Sequence, residues 1–202
     1  MMKTNNFNCI LEHVCYSDRC DGSCPDQVQV DYLFELNKIP YTSPSFELTE
    51  AEWDKYKDIL DKARGKFGYV LERKNTFQVA QDITVCGIRE QWEGSCLHSR
   101  VYSMSFASYL NDIQKSWSPS NVDEQFEQQQ IWVNTSRILV IYGIDYINFK
   151  EFHAQTLLTL LSNRRMDPSL TTILVAPPPS MLVGDGRFFG MLCSLLKENK
   201  VG

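Results

Sequence analysis

Two short runs, Ile138-Leu139-Val140-Ile141 and Ile173-Leu174-Val175, are apolar at every position. A strand with one face in water alternates apolar and polar residues. An unbroken run therefore predicts a strand covered on both faces, as inside a parallel sheet layered with helices. The rest of the chain has the pattern such layers need. Strands are predicted over Phe67 to Leu71, Arg100 to Phe106, Arg137 to Gly143 and Thr171 to Val175. Helices are predicted over 77–91, 107–117, 123–132, 150–163 and 188–197. The fold class that follows is α/β, a parallel sheet flanked by helices.

Ahead of the first strand, Thr49 with Glu52 three residues on forms a capping box, and Trp53, Tyr56, Ile59, Leu60 and Ala63 recur at helical spacing. A helix over 49–64 is expected, stopped at Gly65. A shorter one is expected over Val28 to Asn37. Pro40, Ser43, Pro44 and Ser45 then read as a linker. These signals divide the chain into a small unit over 1–40 and a main α/β unit over 41–202.

The 202 residues carry 25 acids against 20 Lys plus Arg, a formal charge of −5. Bulk electrostatic coating of nucleic acid needs a basic surface, so that class is disfavoured, although a local strip is compatible. No apolar run approaches the roughly 18 residues of a spanning helix, and Met1-Met2-Lys3-Thr4 leads into no hydrophobic signal core. A cytoplasmic protein with no membrane contact is expected. Four of the seven cysteines, Cys9, Cys15, Cys20 and Cys24, lie close together with His13 among them. In a reducing compartment such a group points to a metal site, and the segment has few apolar residues to order it otherwise. Zn²⁺ held by four of Cys9, His13, Cys15, Cys20 and Cys24 is expected, with an iron–sulfur cluster on the four cysteines as the alternative.

The places where a nucleotide-binding α/β domain keeps its chemistry lack it here. The turn after the first strand should carry glycines and a Lys-Ser/Thr ending to cradle phosphates. It reads Leu71-Glu72-Arg73-Lys74-Asn75-Thr76, with no glycine and with Glu72 facing any phosphate. Lys74 and Thr76 are the remnants of a cofactor-binding loop at most. The strand Ile138 to Ile141 should end in carboxylates for Mg²⁺ but is followed by Tyr142-Gly143, with Asp145 later and read as a turn or cap residue. His98 and His153 have no nucleophile motif beside them, which removes support for a hydrolase triad. Arg164-Arg165 with Lys150 reads equally as a DNA backbone contact and as cations at the negative end of a helix. Trp92, Trp117 and Trp132 read as core or interface anchors.

The order of these features resembles the AAA+ core of DnaC/DnaI-type helicase loaders, including phage-encoded ones. The resemblance rests on an apolar strand at the Walker B position and a helix ending Leu160-Leu161-Ser162-Asn163-Arg164-Arg165. Pro168-Ser169-Leu170-Thr171-Thr172-Ile173-Leu174 and Gly184-Asp185-Gly186-Arg187 follow, and Cys15-x4-Cys20-x3-Cys24 and Asn37-Lys38-Ile39-Pro40 stand in front. The resemblance implies an AAA+-like core over 41–202 and an N-terminal unit that contacts the replicative helicase. The Walker A glycines are missing, Tyr142 and Gly143 replace the Walker B acids, and Ala176-Pro177-Pro178-Pro179 stands at the polar sensor position. What this implies is a pseudo-ATPase with no ATP in its own site and no catalytic residue in cis. Arg187 stands in the context of the family's arginine finger, which acts in trans on a neighbour's nucleotide; a surface arginine at the cap of the last helix is the other reading. The expected partners are a DnaB-type replicative helicase, an active AAA+ loader subunit, or both, with a single-stranded DNA contact as a further expectation. A divergent active ATPase loader and a zinc-containing DNA-binding module are the alternative functions.

Overall fold

A computed structural model describes residues 25–40, 43, 48–90, 101–117 and 124–201. The elements in chain order are α1 (Pro25–Leu36), α2 (Glu50–Ala63), β1 (Phe67–Leu71), α3 (Thr76–Glu90), β2 (Val101–Ser105), α4 (Phe106–Ser116) and α5 (Glu124–Thr135). They continue with β3 (Ile138–Tyr142), β4 (Asn148–Phe149), α6 (Glu151–Arg165), β5 (Thr171–Ala176), a 3₁₀ turn (Pro179–Met181), β6 (Val183–Gly184) and α7 (Arg187–Glu198). The expected metal ligands Cys9, His13, Cys15, Cys20 and Cys24, and also Trp92 and His98, lie outside the described residues.

Four strands form one parallel sheet in the order β1-β5-β3-β2. Period-two geometry explains the unbroken apolar runs. Leu139, Ile141 and Leu174 point to a core shared with Leu157, Leu161, Leu192 and Leu196 of α6 and α7. Ile138, Val140, Ile173 and Val175 point to the other core, shared with Ile59 and Leu60 of α2 and Ile83 of α3. Val30, Phe34 and Ile39 are buried in that second core, so the described part of the expected 1–40 unit packs on the sheet with the main unit. The α2 helix begins as its sequence requires: Thr49 N–H donates to Glu52 Oε2 at 2.8 Å and Glu52 N–H to Thr49 Oγ1 at 3.4 Å.

Beyond β1 the sheet edge is continued by Asn199 to Val201. Tyr69 N–H donates to Asn199 O at 2.7 Å and Val201 N–H to Tyr69 O at 2.9 Å. The chain therefore leaves β1 along α3 on one face and leaves β5 along α7 on the other. Between the C-terminal ends of β1 and β5 the connections diverge, which is where open α/β sheets form their crevice.

The opposite end of the sheet corrects the basic-pair expectation. Arg164 is 2% exposed and cannot touch DNA. Its Nε donates to Thr172 Oγ1 at 2.7 Å, Nη1 to Val133 O at 2.7 Å, and Nη2 to Ser136 O at 2.7 Å and Thr171 O at 3.1 Å. Two of those carbonyls close the negative end of α5, so the guanidinium bolts that end of α5 to the start of β5. Burial pulls its pKa down to about 10, with Asp167 opposing.

Candidate functional site

The C-terminal rim of the sheet brings together the turns after β1, β3 and β5. Glu72 N–H donates to Ala176 O at 2.9 Å, which carries the β1–β5 ladder one bond into the first turn. The Glu72 side chain then folds over its own turn. Its Oε1 accepts the backbone N–H of Lys74 at 2.9 Å and of Asn75 at 3.4 Å. These hydrogen bonds, the Lys74 amide first, hold the carboxyl below the usual glutamate range against a partial burial that raises it. An internal carboxylate thus lies where a phosphate would meet the amides at the start of α3. The Lys74 and Arg73 side chains are exposed.

Thr76 opens α3 and is buried, and its hydroxyl donates to Asp145 Oδ2 at 3.5 Å. Asp145 lies in the turn closed by Ile147 N–H on Ile144 O, as its reading as a turn residue expects, and from that turn it also meets the remnant threonine. Tyr142 ends β3 with its ring edge-on to Phe77, the centroids 5.4 Å apart at 64°. An aromatic pair therefore stands where a hard cation would need carboxylates. At the end of β5, Tyr69 Oη donates to Pro177 O at 2.7 Å and lies 3.3 Å from Ala176 O, so the proline-rich turn is fixed by a tyrosine of β1.

Arg187 is the first residue of α7, exposed, and has no hydrogen bond or ion pair with the described residues. It follows the β4–β6 ladder, in which Asn148 pairs with Val183 and Phe149 with Gly184. His153 accepts or donates locally at the start of α6, its Nδ1 3.3 Å from Lys150 N and from Asn148 O. Trp132 packs on the core beside Tyr102, whereas Trp117 is 63% exposed with its ring edge-on to Phe152.

A groove of about 760 Å³ lies away from the rim, between the end of α1 and helices α4 and α5, lined by Lys38, Tyr102, Phe126, Gln129 and Trp132 among others. Its cations Lys38 and Lys115 are balanced by Asp112 and Glu124, and Lys115 is paired with Asp112 at 3.2 Å. It offers no basic strip of the kind backbone binding needs. The described residues hold no group of three or more His, Cys, Asp and Glu placed to bind a metal. No helix among them is long and apolar enough to cross a membrane.

No protein-family model matches the sequence. No curated protein matches it either. Among solved structures the chain is similar to domain III of the Thermotoga maritima replication initiation protein DnaA. The TM-score is 0.52 and the identity 17%, over 80% of this chain and 67% of that one. At that identity the likeness is one of fold: an α/β domain whose parallel sheet is flanked by helices. It does not single out the DnaC/DnaI type.

Proposed function

We propose that this chain is a non-hydrolysing AAA+-like subunit of a DNA replication assembly, of the kind phages encode. It binds a DnaB-type replicative helicase, an active AAA+ loader subunit, or both, and leaves ATP chemistry to its partner. The observation that carries this reading is the Glu72 carboxylate on the Lys74 and Asn75 amides, because an anion already held there repels the phosphates that the turn would otherwise take. The Phe77–Tyr142 pair and the absence of a carboxylate at the end of β3 support it further. The fold likeness to a replication initiator domain supports the process.

Arg187 is the residue through which such a subunit would act in trans. An exposed guanidinium with no partner among the described residues is suited to stabilise charge developing on a neighbour's γ-phosphate. The N-terminal segment, with Zn²⁺ on four of Cys9, His13, Cys15, Cys20 and Cys24, is assigned to the helicase contact. Metal analysis of the purified chain tests that part, and a zinc content well below one per chain overturns it.

Tagged protein captured from its native or infected cell, with partners identified by mass spectrometry, tests the main reading. Recovery of the replicative helicase or of a AAA+ loader supports it, and Arg187→Ala then lowers the partner's ATPase rate with association intact. Recovery of nucleic acid alone sinks it. A second reading, a divergent ATPase, is favoured by the Thr76–Asp145 contact, which pairs the two groups a Mg²⁺-nucleotide site would use. Mg²⁺-dependent hydrolysis by the isolated chain, abolished by Lys74→Ala, would replace the first reading with this one.

A further inference from the structure

On the reading that Arg187 acts on a partner's phosphate, we infer that Gly184, Phe149 and Phe189 form the seat that aims it and are positioning residues for its guanidinium. The geometry begins at β6. A Cβ on Gly184 would lie 2.6 Å from Phe149 Cβ and 2.8 and 2.9 Å from two Phe189 ring atoms, so the backbone is pressed between the two side chains. Real Cβ contacts are not that short, and only glycine lets the ladder seat this deeply.

The seat is anchored. Phe149 is 1% exposed, its ring 5.7 Å from Phe189 on one side and 6.5 Å from the fully buried Phe106 on the other, the latter pair within 15° of parallel. This aromatic row runs from the start of α4 through β4 to the first turn of α7. From the seat the chain makes one turn before Arg187. Asp185 N–H donates to Phe149 O at 3.3 Å, Gly186 takes φ +88, and Gly190 N–H donates to Gly186 O at 3.2 Å. The Cα–Cβ direction of Arg187 is therefore set by backbone fixed on both sides, and only its outer torsions are free. Glu151 Oε2 also approaches Gly186, but as the far end of an exposed side chain it yields and is no part of the seat.

The test compares full-length wild type with Gly184→Ala and Gly190→Ala. Both add one methyl group near Arg187, but a Cβ on Gly190 meets nothing within 4 Å. Amide hydrogen exchange is followed at residues 185 and 190, whose N–H groups bond Phe149 O and Gly186 O, and the ATPase recovered in the capture experiment is assayed with saturating subunit. Gly184→Ala is expected to speed exchange at those amides about tenfold, with the β3 amides unchanged, as easier local opening requires. It is also expected to lower stimulated turnover toward that of Arg187→Ala with the half-saturating concentration unchanged. Gly190→Ala is expected to do neither. Wild-type exchange in Gly184→Ala, or full stimulation by it, overturns the inference. Should Gly184→Ala fail to fold, Phe189→Leu, which loosens the same contact, is read by the same two measurements. If Arg187→Ala leaves turnover unchanged, the trans reading falls, while the exchange result still decides whether the seat holds the turn.

Discussion

The carboxamide of Asn37 pairs with the backbone of Ser103 as a neighbouring strand would. Ser103 N–H donates to Asn37 Oδ1 at 2.6 Å while Asn37 Nδ2 donates to Val101 O at 3.0 Å, so one side chain at the end of α1 covers the open edge of β2. Asn37 is buried, and its loss leaves a strand donor and a strand acceptor without partners. Asn37→Ala is expected to lower stability by about 1–3 kcal/mol, read as a lower urea midpoint at unchanged slope. Asn37→Asp, which accepts but cannot donate when ionised, is expected to recover only part of the loss.

Arg164 serves four acceptors on two segments, Val133 O and Ser136 O at the end of α5 and Thr171 O and Thr172 Oγ1 at the start of β5. The fork geometry is what reaches them all, and a lysine ammonium cannot. Arg164→Lys is expected to cost roughly 3 kcal/mol or more in chemical unfolding, because it buries a charge with fewer partners and strands carbonyls that have no water. A change below about 0.5 kcal/mol, the range of ordinary surface substitutions, would show that water replaces the guanidinium.

The Glu72 carboxyl has its pKa lowered by the Lys74 and Asn75 amides. A group with a depressed folded pKa adds stability above its unfolded value, and that contribution is lost as pH falls through the folded one. Wild type should therefore exceed Glu72→Gln in stability at neutral pH, with the gap closing below the ordinary glutamate range. Urea midpoints measured between pH 7 and about pH 3 check this, and a gap independent of pH contradicts it.

Two glycines predict opposite signs for one substitution. Gly65 ends α2 at φ +67, and a Cβ there would meet Pro168 O at 2.6 Å. Gly65→Ala is expected to destabilise by more than about 1 kcal/mol. Gly190 lies within α7 with open space around it, and alanine there is expected to stabilise by about 0.5–1 kcal/mol. Thermal unfolding of the pair reads both signs in one experiment.

The layers were legible because their signals are long and local. The unbroken runs of β3 and β5, the Thr49–Glu52 box and the spacing of Tyr56, Ile59 and Ala63 each lie within one element, and each element formed where they placed it. What the sequence withheld depends on tertiary placement. The β4–β6 ladder has two residues per strand, too few for any period to register. Arg164 read as half of a surface pair because nothing local says that the end of α5 and the start of β5 converge on it. Asn37 read only as the end of the short first helix, and its second role exists only beside β2. At the candidate site the missing glycines and acids were plain in the sequence, and Glu72 was seen as a charge opposed to phosphate. That its carboxylate binds the amides, and that Thr76 meets Asp145 from 69 residues away, required the fold.

The strand order also decides when this chain can fold. β5 lies between β1 and β3 but follows both in the sequence, so β1 has no strand to pair with until residues 171–176 are made. During synthesis Phe67 to Leu71 waits with an apolar, unpaired ribbon for more than half the length of the chain, and loop closure must precede any reward from pairing. A nascent chain of this design holds that ribbon without its strand partner throughout the interval. Slower elongation before β5 would lengthen its exposure to aggregation.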